Sequence, residues 1–195
     1  MRSLRMIGAF RKSLAVASLY AHRIMRRVHP TKLILAGYAF YMLLGWSLLC
    51  LPLAQAVPVN PLDNLFTAVS AVSTTGLVTV DPGTSYSFLG ELVILLLIQI
   101  GGIGYMTLGS FIMLATVKHL SPLRERLART AFTLPENIIT GHFIRTVVVF
   151  TLAIEAIGAI ILYIQFADAG VKDAPWSAIF HSVSAFCTAG FSLNS

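Results

Sequence analysis

Charged side chains are scarce in this sequence: aspartate, glutamate, lysine and arginine together make up 11% of its 195 residues, where a water-soluble globule carries about a quarter. With 56% of the chain apolar and a mean hydropathy of +0.80, a surface wetted on every side is excluded, and the solvent for the surplus is a lipid bilayer. Cysteine is nearly missing too. Cys50 and Cys187 stand alone in apolar sequence with no partner at metal-ligand spacing, which excludes a disulfide framework and a zinc site and leaves the redox compartment unread. Also absent from the apolar stretches is any Ser-His, Cys-His, H-E-x-x-H or paired-Asp constellation, and with it the usual equipment of a membrane enzyme.

What is present is long uncharged runs. Leu33 to Leu53 carries no charge over twenty-one residues, enough at about 1.5 Å per residue to cross a hydrocarbon core of roughly 30 Å. Leu92 to Val117 is a second such run, and Thr146 to Phe166 a third, broken only by Glu155. Three spans are expected. A signal peptide competes for the N-terminus, but the first run is longer than the usual apolar core of one, and more membrane sequence follows it. Thirteen of the fourteen basic residues fall before the first run (Arg2, Arg5, Arg11, Lys12, Arg23, Arg26, Arg27, Lys32) or between the second and third (Lys118, Arg124, Arg126, Arg129, Arg145). Cytoplasmic loops hold such an excess, so the N-terminus is expected inside. The same partition accounts for the net charge of +6 without nucleic acid as a partner. The basic N-terminal stretch also reads as an amphipathic helix on the anionic leaflet, with Met6, Phe10, Leu14, Leu19 and Ile24 as apolar contacts.

Internal self-similarity carries the chemistry. A shift of 114 residues lays Pro61 to Leu77 (PLDNLFTAVSAVSTTGL) on Pro175 to Phe191 (PWSAIFHSVSAFCTAGF), with seven of seventeen positions identical, Thr74/Thr188 and Gly76/Gly190 among them. Each copy follows a span on the external side. A proline opens about eleven mildly apolar residues, which suits a helix with proline in its first turn, and each copy closes on Thr-X-Gly. So short a segment cannot cross the bilayer and must turn back partway. Irregular backbone at that depth is tolerated where it lines a water-filled cavity or is buried in protein. Carbonyls freed by such a turn, arranged around an axis, replace the hydration shell of a monovalent cation. Gly76 and Gly190 suit left-handed conformations that aim successive carbonyls one way, the preceding helix turns its negative end toward the cavity, and Thr74 and Thr188 offer a hydroxyl oxygen below.

These stretches, together with ELVILLLIQIGGIGYMTLGSF, VFTLAIEAIGAII and IFHSVSAFCTAGFSLNS, resemble the Trk/Ktr/HKT superfamily of potassium transporters, most closely the ion-translocating membrane subunits of the TrkH and KtrB type, over about Leu33 to Ser195. The resemblance implies an all-α integral membrane protein of span-pore helix-span repeats, as in potassium channels, four to a subunit. Filter strand one is then Thr74, Thr75, Gly76 and Leu77, and strand two is Thr188, Ala189, Gly190 and Phe191. Potassium, or sodium, would bind at their carbonyls as the transported ion, with no cofactor and no transition metal. A homodimer in the bacterial inner (plasma) membrane, bound to a cytosolic ring of nucleotide-binding regulatory subunits, is implied as well. Against that pattern the chain divides into a cytosolic basic segment (1–32), one complete repeat (33–117), a cytosolic loop (118–145) and a partial second repeat (146–195) that ends at its filter strand. Half a ring does not conduct alone.

Other readings attach to single residues. Gln99 to Gly104 holds glycines without dinucleotide-binding spacing, and close helix packing is their expected role. Glu155, in mid-span, must face protein or water: either a cation-attracting acid near the pore or, preferred, a structural carboxylate paired with backbone amides of a pore helix. Glu91 is expected at a solvated boundary, Asp63 and Asp81 at the mouth raising local cation concentration. His181 has no second ligand at useful spacing, and His119 and His142 are expected on the surface of the inner loop, where SPLRERLARTAFTLPENI reads as a short helix closed by Pro135. The functional alternatives are a sodium-conducting member of the same family, a secondary transporter with a midplane side-chain site, disfavoured because these repeats are not inverted, and a membrane fragment without transport.

Overall fold

The computed structural model describes residues 30–104, 107, 122–132 and 139–194. The N-terminal basic segment up to residue 29, with the signal-peptide and amphipathic-helix readings, lies outside the described residues, as do most of 105–121, including His119, and the stretch around Pro135. Among the described residues the chain is helical, with an isolated antiparallel bridge, Gln55 to Tyr86, and no strand.

Helix α1 (Pro30–Leu49) and the 29-residue helix that enters the second repeat, Thr140–Asp168, are long and apolar enough to cross a membrane. Both leave large apolar side chains exposed, Leu35, Phe40 and Leu43 on the first and Ile157, Ile160 and Ile161 on the second, as helices facing lipid do. After α1 a 3₁₀ turn (Pro52–Ala54) leads to α2 (Pro61–Val72), the first re-entrant helix. Its start is local chemistry: Asn60 Oδ1 accepts from the Leu62 amide at 2.9 Å and Pro61 fills the first helical position, where its missing N–H is no loss. Trp46 Nε1 donates to Pro61 O at 2.8 Å and ties this start to α1. A single turn, α3 (Pro82–Ser85), is capped by Asp81, which accepts from the Gly83 amide and from Thr84 Oγ1. Asp81 is thus a helix cap, where sequence alone suggested a charge that raises local cation concentration.

Helix α4 (Phe88–Ile103) differs from its sequence expectation. The uncharged run Leu92 to Val117 suggested one continuous span, but α4 starts earlier and stops at Gly104, whose φ of +85° no continuing α-helix accommodates. A new turn begins there, with Thr107 N donating to Gly104 O at 3.0 Å. Sixteen residues rise only about 24 Å. Helix α5 (Pro122–Phe132) lies between the second and third uncharged runs, where the sequence suggested a short helix, and holds an Arg129–Glu125 ion pair one turn apart. Helix α6 (Thr140–Asp168) runs beyond the uncharged limits Thr146 and Phe166 at both ends, so exposed His142 sits in its first turns and not in a loop. The second re-entrant helix, α7 (Ala174–Phe186), follows with proline in its first turn.

Between apolar helices in lipid, water supplies no hydrophobic drive, and close approach supplies the packing. Helix α4 shows how. A Cβ on Gly101 would strike the Val72 carbonyl at the end of α2, one on Gly102 would strike Cys187 Sγ just past the end of α7, and Gly45 of α1 makes room for Leu97. Glycines at 101 and 102 therefore bring the C-terminal ends of both re-entrant helices to adjacent residues of α4, the packing role expected of them.

Candidate cation site

Each re-entrant helix ends in the same hydrogen-bond pattern. After α2, Thr74 N donates to Ala71 O at 3.2 Å and Thr75 N to Ser70 O at 3.0 Å; after α7, Thr188 N donates to Ala185 O at 3.1 Å and Ala189 N to Ser184 O at 2.7 Å. This double closure ordinarily has glycine at its left-handed position. Here the position holds threonine, with φ of +50° at Thr74 and +53° at Thr188. A β-branched residue so placed is strained, by roughly 1–2 kcal/mol, and such strain concentrates where function requires the geometry. Gly76 and Gly190 follow two residues later at φ +79° and +70°. Left-handed residues thus alternate with Thr75 and Ala189, in the same order in both strands.

The threonine hydroxyls are oriented. Thr74 Oγ1 donates to Ser73 O at 2.8 Å and Thr188 Oγ1 to Cys187 O at 2.7 Å. With each proton committed backward, what the oxygen presents forward is its lone pairs. Thr75 Oγ1 lies 2.7 Å from Ser73 Oγ, whose own proton goes to Val69 O at 2.7 Å, so the Thr75 hydroxyl is engaged within its own turn.

The two strands meet. A Cβ on Gly76 would lie 2.6 Å from Ala189 O and 2.9 Å from Gly190 Cα, and one on Gly190 would lie 3.2 Å from Gly76 Cα. Residues 114 positions apart in sequence therefore share one contact, and the helix ends behind them converge on Gly101 and Gly102. Two negative helix ends and two runs of carbonyls gathered at one place favour a cation. The flanks differ: Leu77 is 61% exposed while Phe191 is 3% exposed in the core, its carbonyl accepting from Ser184 Oγ at 2.7 Å.

Glu155 lies behind strand two at 6% exposure. Its carboxylate accepts from Gln99 Nε2 at 2.9 Å and from Cys187 Sγ at 3.9 Å, while its backbone carbonyl accepts from Ser182 Oγ at 2.7 Å. The structural reading is the one the geometry fits, with side chains of α4 and the α7 terminus in place of the backbone amides expected. Glu91 is half-buried and takes a 2.6 Å bond from Trp176 Nε1, so it joins the two repeats instead of standing free in solvent. Among the described residues no group of three His, Cys, Asp or Glu is placed to hold a metal ion; His181 bonds Ser177, Ser192 and Leu193 instead.

The family model for the cation transport protein TrkH matches residues 18–195. The chain belongs to the TrkH family of cation transport proteins. Among its relatives, Ktr system potassium uptake protein B of Bacillus subtilis (strain 168) is 35% identical over 168 residues, covering 86% of this chain and 38% of the relative. The Ktr system potassium uptake protein B of Vibrio alginolyticus is 35% identical over 163 residues (83% and 36%), and potassium/sodium uptake protein NtpJ of Enterococcus hirae is 34% identical over 174 residues (88% and 39%). The chain thus spans under two-fifths of the length of the relatives it matches. Membership in a family of cation transport proteins is in keeping with the all-helical fold and its two apolar helices long enough to cross a membrane.

Proposed function

We propose that this TrkH-family chain contributes two of the strands that line a potassium path across the plasma membrane, as part of the translocating subunit of a Trk/Ktr-type uptake system. Strand one is Thr74, Thr75, Gly76 and Leu77; strand two is Thr188, Ala189, Gly190 and Phe191. The observation that carries the reading is the contact of Gly76 with Ala189 and Gly190, which sets two Thr-X-Gly turns of like backbone geometry side by side at the negative ends of two helices. An incoming ion would exchange hydration water for main-chain oxygens, with the Thr74 and Thr188 hydroxyls below. Residues 33–117 form one span-pore helix-span unit, 118–145 the inner loop and 146–195 part of a second unit, with the N-terminus cytoplasmic. A homodimer and a nucleotide-binding regulatory subunit belong to the proposal, the latter supported by relatives named as parts of a Ktr system.

Sodium is the second reading, favoured by the potassium/sodium name of the Enterococcus hirae relative. The test is potassium-dependent growth and rubidium uptake in a bacterium stripped of its own potassium uptake, comparing this chain with a full-length protein carrying it. Rescue by the full-length protein supports the reading; rescue by sodium transport alone moves it to sodium; no cation transport by the full-length protein refutes it.

A further inference from the structure

The strand Thr188–Phe191 and its continuation are stitched to one face of α7. Ser177, His181 and Ser184 lie a turn apart on that face, where i, i+4 and i+7 align, and they bond successive points of the chain that runs outward past them. Ser184 Oγ donates to Phe191 O at 2.7 Å, Leu193 N donates to His181 Nε2 at 3.3 Å, and Ser177 Oγ donates to Asn194 Oδ1 at 3.1 Å. His181 is the centre of the row. Its Nδ1 lies 2.7 Å from Ser177 O, its Nε2 3.0 Å from Ser192 Oγ, and its ring stands edge-on to Phe166 of α6 with centroids 5.3 Å apart. A carbonyl only accepts and an amide N–H only donates, so these partners fix the neutral tautomer with the proton on Nδ1. The far side of the segment is held too, since Gly83 of α3 leaves room for Leu193 O.

The first repeat lacks this row. The matching positions are Asp63, Thr67 and Ser70; Thr67 Oγ1 accepts from Tyr86 OH at 3.2 Å and Ser70 Oγ is buried without a hydrogen-bond partner. Among the described residues, no α2 side chain bonds the segment Leu77 to Val80.

We propose that His181 is a positioning residue for strand two: by accepting the Leu193 amide it fixes where the chain beyond the strand lies against the pore helix, and so sets the spacing of the carbonyls below. It touches no ion itself. The inference rests on the filter reading above.

The test uses a full-length protein carrying this sequence and three variants, His181→Ala, His181→Asn and His181→Gln, with rubidium uptake and its inhibition by sodium as readouts. A glutamine amide oxygen reaches the place of Nε2, whereas asparagine reaches only that of Nδ1. Loss of one bond to a half-buried backbone amide should raise the apparent KM for rubidium about fivefold in the alanine and asparagine variants, with maximal uptake per inserted protein near wild type, and glutamine should restore it. Should the alanine variant fail to insert, the asparagine and glutamine pair carries the comparison. Equal KM and sodium inhibition across wild type, asparagine and glutamine would overturn the inference while leaving the filter reading intact. A wild-type protein that moves no cation would overturn both.

Discussion

Gly76 offers the sharpest perturbation, because its missing side chain faces backbone on the opposite strand. In Gly76→Ser the new Cβ would start 2.6 Å from Ala189 O and 2.9 Å from Gly190 Cα, whereas ordinary non-bonded contact lies near 3.5 Å. Neither neighbour is a flexible side-chain tip. The strands must part by on the order of 1 Å, or Gly76 must leave its φ of +79°, a conformation that costs an L-residue roughly 1–2 kcal/mol. Either change moves the carbonyls that would distinguish potassium from sodium. If as little as about 1.4 kcal/mol of that preference depends on their spacing, selectivity falls tenfold. The reciprocal change should be milder, since a Cβ on Gly190 stands 3.2 Å from Gly76 Cα, an overlap of a few tenths of an ångström. The assay is rubidium uptake against rising sodium in a full-length protein carrying each substitution, normalised to protein in the membrane. The expected order is wild type, then Gly190→Ala, then Gly76→Ser, the last losing at least tenfold in selectivity. Wild-type selectivity in Gly76→Ser, or a larger defect in Gly190→Ala, would refute the reasoning.

Three further outcomes follow from the same geometry. Thr188→Gly relieves the strain of a β-branched residue at φ +53° while removing a hydroxyl oxygen, so thermal stability in detergent should hold or rise by about 1 kcal/mol as apparent rubidium affinity falls; a loss of stability with unchanged affinity would contradict it. Gly101→Leu drives a side chain into the Val72 carbonyl and should abolish insertion or cost several kcal/mol in unfolding measurements, whereas Gly170→Ala, where nothing lies within 4 Å of the new Cβ, should be tolerated apart from its φ of +70°. Glu155→Leu leaves Gln99 and Cys187 without their shared acceptor and should destabilise by about 1–3 kcal/mol, with Gln99→Leu/Glu155→Leu costing less than the two single changes together; strict additivity would show that the pair does not interact.

Much of this arrangement was legible in the sequence. The 114-residue repeat located both re-entrant helices, their proline starts and the glycines at φ > 0, because these depend on local chemistry that recurs in each copy. The strained threonines were not legible: propensity assigns left-handed backbone to glycine, and only the closure of each helix end onto Ser70 or Ser184 pushes Thr74 and Thr188 there. The break in α4 at Gly104 was hidden inside an uncharged run, since hydropathy reports solvent and not backbone dihedrals. His181 looked idle because its partners lie eleven and twelve residues further along, in a segment that only the fold lays against α7. Mid-span position shows that Glu155 must face protein or water, but not which: Gln99 and Cys187 lie 56 and 32 residues away, share no motif with it, and stand where backbone amides were expected.

The most direct measurement is the anomalous scattering of rubidium in crystals of a full-length protein carrying this sequence. The account predicts a peak at oxygen-ligand distance from main-chain oxygens of both Thr74–Gly76 and Thr188–Gly190. Rubidium bound only at side-chain carboxylates, with no density between these two strands, would contradict it.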